Sequence, residues 1–172
     1  GPMKAARLFL GKEYEAQLGE LCRHYRVRPE ASQELAIDWS IHRRQAADRR
    51  RYFRWEYLAG SGEAPTGDRL LFSSFREAYH RLMWELVQAQ VDSLLLAAGE
   101  TPIRKVYVDG GFAANDLYLK MLAAALPQWA IIASEASLGS ALGAALAVRD
   151  RRLPAGFLEA EYQLKKQEVE AK

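Results

Sequence analysis

From Ile103 to Ile132 the chain runs through an apolar segment, paired glycines, an amphipathic segment, a proline and a second apolar segment, an order that few folds accommodate. Ile103 to Val108 mixes Arg104 and Lys105 with apolar residues and reads as a strand. Gly110-Gly111 is a turn, and Asn115 or Asp116 can cap a helix that runs to about Leu126 and is ended by Pro127. Trp129 to Ile132 reads as a second strand, and Ser137 to Val148 as a second helix rich in small residues. Strand, helix, strand, helix at this spacing implies parallel strands with crossover helices, hence an α/β layer.

The earlier chain is less regular. Arg7 to Leu10 is a short apolar run closed by Gly11, readable as a strand. Tyr14, Leu18, Leu21, Cys22 and Tyr25 then recur at helical spacing, in a helix that should stop before Pro29. Ala36 to Trp39 fits either a short extended piece or a helix start. Gly60 to Gly67, with Gly62 and Pro65 inside it, is the clearest loop. A long helix follows, with Phe75, Tyr79, Leu82, Leu86, Leu94, Leu95 and Ala98 expected on its buried stripe and Gly99 as its stop. The tail 159–172 is charged and expected to fray.

The chain has 172 residues, 49% of them hydrophobic and 27% charged, with a net charge of +2. That balance suits a soluble globular domain and gives no general case for nucleic acid or an anionic membrane. No segment approaches the ~20 apolar residues of a membrane helix. Cys22 is the one cysteine, which excludes an internal disulfide framework and fits a reducing, cytoplasmic setting. Its place on an apolar helical face assigns it to packing rather than reactivity. His24, His42 and His80 show no metal-ligand spacing. Gly1-Pro2 ahead of Met3 reads as a tag remnant, so residues 1–3 stand outside the fold.

Chemistry concentrates in Val106 to Asn115, where a strand ends at paired glycines and a helix follows within a few residues. Glycine opens backbone conformations closed to other residues and lets a ligand approach with no Cβ in the way. The next helix directs unsatisfied N–H groups and a partial positive charge toward the turn, which favours a phosphate. A tight turn with no ligand is the competing reading. The G-x-G-x-x-G spacing of a dinucleotide fold is absent, as is the Gly-Lys-Ser/Thr of a phosphate loop. Gly143, inside Ala141 to Ala147, disfavours a helix by about 1 kcal/mol relative to alanine, which fits helix–sheet packing or a close ligand.

Together, and about 30 residues apart, these two segments resemble the C-terminal domain of the FGGY family of carbohydrate kinases, in the superfamily of sugar kinases, Hsp70 and actin. Val106 to Asn115 is similar to the family's adenosine motif, and Glu135 to Ala145 to its Glu-x5-Ala-Leu-Gly-Ala-Ala segment. The helix Phe75 to Ala98 stands where the family places the helix preceding that motif, and Leu8 to Glu13 adds a weaker likeness. The resemblance implies an α/β actin-like (ribonuclease H-like) ATPase domain over 4–158, with a mixed sheet and packed helices, as part of an incomplete two-domain kinase. It implies contact of ATP with Gly111 through its backbone and with Asn115 on the adenine side, while Gly110 and Ala114 shape the pocket. Mg²⁺ is implied by the family only.

His80-Arg81 and Glu85-Leu86 depart from the Arg-Ala…Glu-Gly that family members often carry on the preceding helix. Neither the phosphate-binding Asp-x-Gly-Thr segment nor the catalytic aspartate motif occurs in this sequence. The resemblance therefore implies no catalytic residue in this chain, with sugar bound by a separate N-terminal domain and no turnover alone.

Six arginines between positions 43 and 54, interleaved with Tyr52, Phe53 and Trp55, form the second conspicuous feature. Exposed aromatics among them would make a nucleic-acid patch. On a helix, Asp38, Asp48 and Glu56 would dilute the charge, which favours a solvated face or a contact to the missing domain. The aromatics, Tyr57 included, then belong to the core or to an interdomain surface, and a bare surface there would allow homo-oligomers. An Arg-rich nucleic-acid module and a non-catalytic member of the superfamily are the alternatives to the kinase reading.

Overall fold

The computed structural model describes residues 8–56, 58, 64–134 and 164–167. The chain divides into two compact units, 1–102 and 103–172. The expected helix Ser137 to Val148, with Gly143, lies outside the described residues, as do Arg7, Tyr57 and residues 60–63.

The first unit is helical. Helix α1 spans Leu10–Tyr25, α2 Trp39–Ala46 and α3 Phe75–Ala98. α1 and α2 both pack on α3. The strand expected over Arg7 to Leu10 is not there: Leu8 and Phe9 are irregular and Leu10 opens α1. Leu10 shares a helical face with Leu18 and Leu21, and burial on that face outweighs the β-like local run. Cys22 is buried, and burial raises its thiol pKa, as a packing role requires.

Asp38 starts α2, its Oδ1 accepting from the amides of Ser40 and Ile41 at 2.9 and 3.2 Å. Ser74 caps α3 by accepting from the Glu77 amide, and Gly99 ends it at φ 52°. The buried stripe of α3 holds Phe75, Tyr79, Leu82, Leu86 and Ala98, but Leu95 and Leu96 are 47% and 79% exposed. At its C-terminal end the helix outruns its cover.

The arginine stretch is only briefly helical. α2 carries Arg43 and Arg44 and ends at Ala46, after which residues 48–55 run without regular structure. Backbone polar groups there have no ladder, and buried polar side chains satisfy them instead. Arg81, wholly buried on α3, donates through Nη1 to the carbonyls of Gln45 and Asp48 at 2.8 and 3.0 Å, and through Nη2 to that of Arg50. Its Nε donates to Glu85 at 2.8 Å, and Glu85 accepts the amides of Tyr52 and Phe53 at 2.8 and 3.3 Å. From α1, Gln17 donates to the Arg54 carbonyl at 2.8 Å and Glu13 accepts from the Leu58 amide at 3.2 Å. Held this way, Tyr52, Phe53 and Trp55 are core residues. That corrects the expectation of a helical arginine face and removes the bare aromatic surface on which self-association rested.

Among the described residues, the second unit carries a three-stranded sheet of order β1-β2-β3, with β1 Lys105–Val108, β2 Ala130–Ser134 and β3 Leu164–Gln167. β1 and β2 are parallel, Val106 opposite Ile131, and α4, Asp116–Ala125, is the crossover that parallel pairing demands. β3 runs antiparallel to β2, with Ile132 opposite Lys166, so the sheet is mixed. The expectation that the tail frays therefore fails at 164–167, where backbone pairing orders it. Leu117, Tyr118, Met121 and Leu122 of α4 are buried, as are Ile131 and Ile132 of β2.

Breaking one side of the Arg81–Glu85 pair leaves the other charge buried. Arg81→Met and Glu85→Gln should each lower stability by about 3–5 kcal/mol. An Arg81→Met/Glu85→Leu double variant should lose clearly less than the sum, as read in urea melts.

His80 offers a second check. Its Nε2 accepts from the Asp38 amide at 2.9 Å, so the ring proton sits on Nδ1 and is donated to the Arg76 carbonyl at 2.8 Å. Only neutral imidazole fits, and burial depresses its pKa below the ordinary 6.5. Below about pH 6.5 the unfolded chain takes a proton that the folded chain refuses, so stability declines as pH falls from there. Comparing urea midpoints at about pH 7.5 and 5.5, His80→Gln should remove part of that decline.

Candidate functional site

The turn after β1 is built by three residues with different tasks. Asp109 accepts the Gly110 amide on its own Oδ1 at 2.8 Å. Gly110 takes φ 79°, ψ −158°, a conformation essentially closed to residues with a Cβ. Gly111–Ala114 then make one turn of 3-10 helix, with the Ala113 amide on the Gly110 carbonyl at 3.0 Å. Asn115 ends it and caps α4, its Oδ1 accepting the Tyr118 amide at 3.0 Å. Of the two candidate caps, Asn115 takes the position and Asp116 is the first helical residue.

Gly110, Gly111, Ala114 and Asn115 are thus brought together in a single turn. Gly110, Gly111 and Ala114 are exposed and Asn115 is half-buried. A Cβ built on Gly110 or Gly111 would meet nothing within 4 Å, so the surface is open to approach. The requirement for positive φ falls on Gly110 alone, and Gly111 serves by leaving space. Phe112, missed by the sequence reading, lays its ring against Tyr118 with centroids 4.5 Å apart, fixing the turn on a buried residue of α4. Burial raises the pKa of the Tyr118 hydroxyl.

The charges near the turn are mixed. Asp109 and Asp116 flank the glycines, and Lys120 pairs with Asp116 at 3.0 Å, four residues along α4. Among the described residues no group of three His, Cys, Asp or Glu is placed to hold a metal ion, and no helix is long and apolar enough to cross a membrane. The rest of the adenosine-motif likeness, Glu135 to Ala145, lies outside the described residues.

Elsewhere, Tyr52, Phe53 and Trp55, the aromatics of the arginine stretch among the described residues, are 8%, 1% and 7% exposed, so they do not form the open stacking platform that a nucleic-acid reading needs.

Residues 57–155, more than half of the chain, match the family described as carbohydrate kinase FGGY, C-terminal domain. No curated protein matches the chain in sequence. Among solved structures, a carbohydrate kinase from Novosphingobium aromaticivorans is similar, with a TM-score of 0.60 and 17% sequence identity. The similarity covers 95% of this chain and 33% of that one, so this chain spans about a third of the kinase's length. The chain belongs to the FGGY carbohydrate kinase family, as a C-terminal domain of it.

Proposed function

We propose that this chain is the adenine-nucleotide-binding C-terminal half of an ATP-dependent carbohydrate kinase, with the actin-like ATPase fold. In the intact protein a phosphoryl group passes from ATP to a sugar hydroxyl, and the sugar and the catalytic aspartate belong to a separate N-terminal domain. The half alone is inactive, and the protein works in the cytoplasm. The observation that carries this reading is the turn itself: a strand ending in a Gly-only conformation, an exposed glycine with no atoms near its absent Cβ, and a capped helix, all inside the family-matched residues.

The residues fit a nucleotide. Gly111 lets the chain approach ATP through its backbone, and the first turn of α4 contributes N–H groups and a partial positive charge. Gly110 holds the geometry, and Ala114 keeps the wall of the pocket low. Asn115 would offer its Nδ2 to the base while Oδ1 holds the cap. Mg²⁺ would arrive with the phosphates and neutralise their charge beside Asp109 and Asp116. Phosphoryl transfer depends on positioning by several parts at once, which is why one half does not turn over.

An NMR titration with millimolar Mg-ADP should move Gly111 and Asn115 first, and shifts confined to residues far from 106–115 would refute the site. The two glycines should separate. Gly111→Val should abolish binding with little change in stability, whereas Gly110→Val should destabilise by about 1–3 kcal/mol through its forced backbone. Asn115→Asp keeps the cap but removes the N–H donor, so it should weaken ADP binding while leaving the melt unchanged.

A further inference from the structure

The arginine-rich stretch has no part in the proposed nucleotide site, yet a cavity of about 240 Å³ lies against it within residues 1–102. Arg44, Gln45, Asp48, Arg50 and Glu77 line it, and the rings of Tyr52 and Phe72 supply an apolar wall. Hydrogen-bonding capacity decides what it can hold.

The carboxylates are already engaged. Asp48 accepts the Arg50 amide at 3.0 Å, the Arg50 guanidinium through Nε and Nη2 at 3.0 and 2.7 Å, and the Tyr52 hydroxyl at 2.7 Å. Glu77 accepts Arg44 on Oε1, and the Ser73 amide and hydroxyl on Oε2. Donors are what remain, because a guanidinium has five N–H groups and those of Arg44 and Arg50 are each directed to one carboxylate. Gln45 lines the same cavity and is itself buried, its Nε2 donating to the Glu77 carbonyl at 2.8 Å.

We propose that this cavity binds a small oxyanion, inorganic phosphate or a phosphate monoester. Its oxygens accept from Arg44 and Arg50, whose planar forks suit such a group. The neighbouring exposed Arg43 and Arg49 raise the local concentration of anions. The aromatic wall leaves room for an organic group on the ester.

The test is an NMR titration of the full chain at fixed ionic strength and about pH 6, near the second pKa of a phosphate monoester. Inorganic phosphate and phenyl phosphate are the probes, and sodium chloride is the reference. Saturable shifts of the Gln45 side-chain amide and of the Arg44 and Arg50 Nε–H groups are expected. Arg44→Gln should weaken binding about tenfold, and so should Arg50→Lys, which keeps the charge but loses the fork. Arg43→Gln, which removes a nearby charge outside the cavity, should weaken it less than about twofold. Tighter binding of phenyl phosphate would assign the site to a monoester, and equal binding to the phosphate group alone. Shifts matched by chloride, or an Arg43→Gln loss equal to that of Arg44→Gln, would show a diffuse field and overturn the proposal.

Discussion

The fold of the first unit depends on how a buried guanidinium is satisfied. Arg81 could not be buried alone, since an isolated charge in an apolar interior is prohibitively costly. Glu85 balances its charge one helical turn away, and three backbone carbonyls accept three of its other N–H groups. The consequence runs outward from the helix. Those carbonyls belong to the end of α2 and the irregular chain after it, so one side chain of α3 fixes where that chain lies. Burial raises the Glu85 carboxyl pKa, while the guanidinium and the Tyr52 and Phe53 amides oppose the rise by favouring the carboxylate. The guanidinium also sits over the rings of Tyr52 and Trp84, at 4.7 and 4.5 Å from their centroids. Polar anchoring and aromatic packing are therefore a single arrangement.

This explains which parts were legible in the sequence. α1, α3 and α4 declare themselves by periodicity and by their stops at the turn before Pro29, at Gly99 and before Pro127, because each signal acts within a few residues. The parallel pairing of β1 and β2 follows from the helix between them. Residues 48–55 carry no such signal. Their structure is fixed by side chains about 30 to 40 positions away, Gln17 and Arg81 among them, and nothing in the local run of arginines announces it. Of the pairs His80-Arg81 and Glu85-Leu86, first read as departures from a family pattern, Arg81 and Glu85 anchor this segment and His80 holds the start of α2 at Asp38.

The candidate site divides along the same line. That Gly110-Gly111 forms a turn between strand and helix is local chemistry and readable in advance. Which glycine is conformationally obligatory is not, because it depends on the exit direction of β1 and on where the 3-10 turn begins. The positive φ lies at Gly110, and Gly111 is left as the position where absence of a side chain matters only to an approaching molecule. Phe112 escaped notice for a related reason. An aromatic in a run of small residues has no periodic partner, and its role appears only when α4 brings Tyr118 beneath it.

Asn115 shows how closely structure and proposed recognition are joined in so short a turn. Its Oδ1 holds the Tyr118 amide, and Tyr118 in turn supports the Phe112 ring, so the amide is oriented before any ligand arrives. A side chain fixed by its structural duty loses no rotamer freedom on binding, which is the physical advantage of preorganisation.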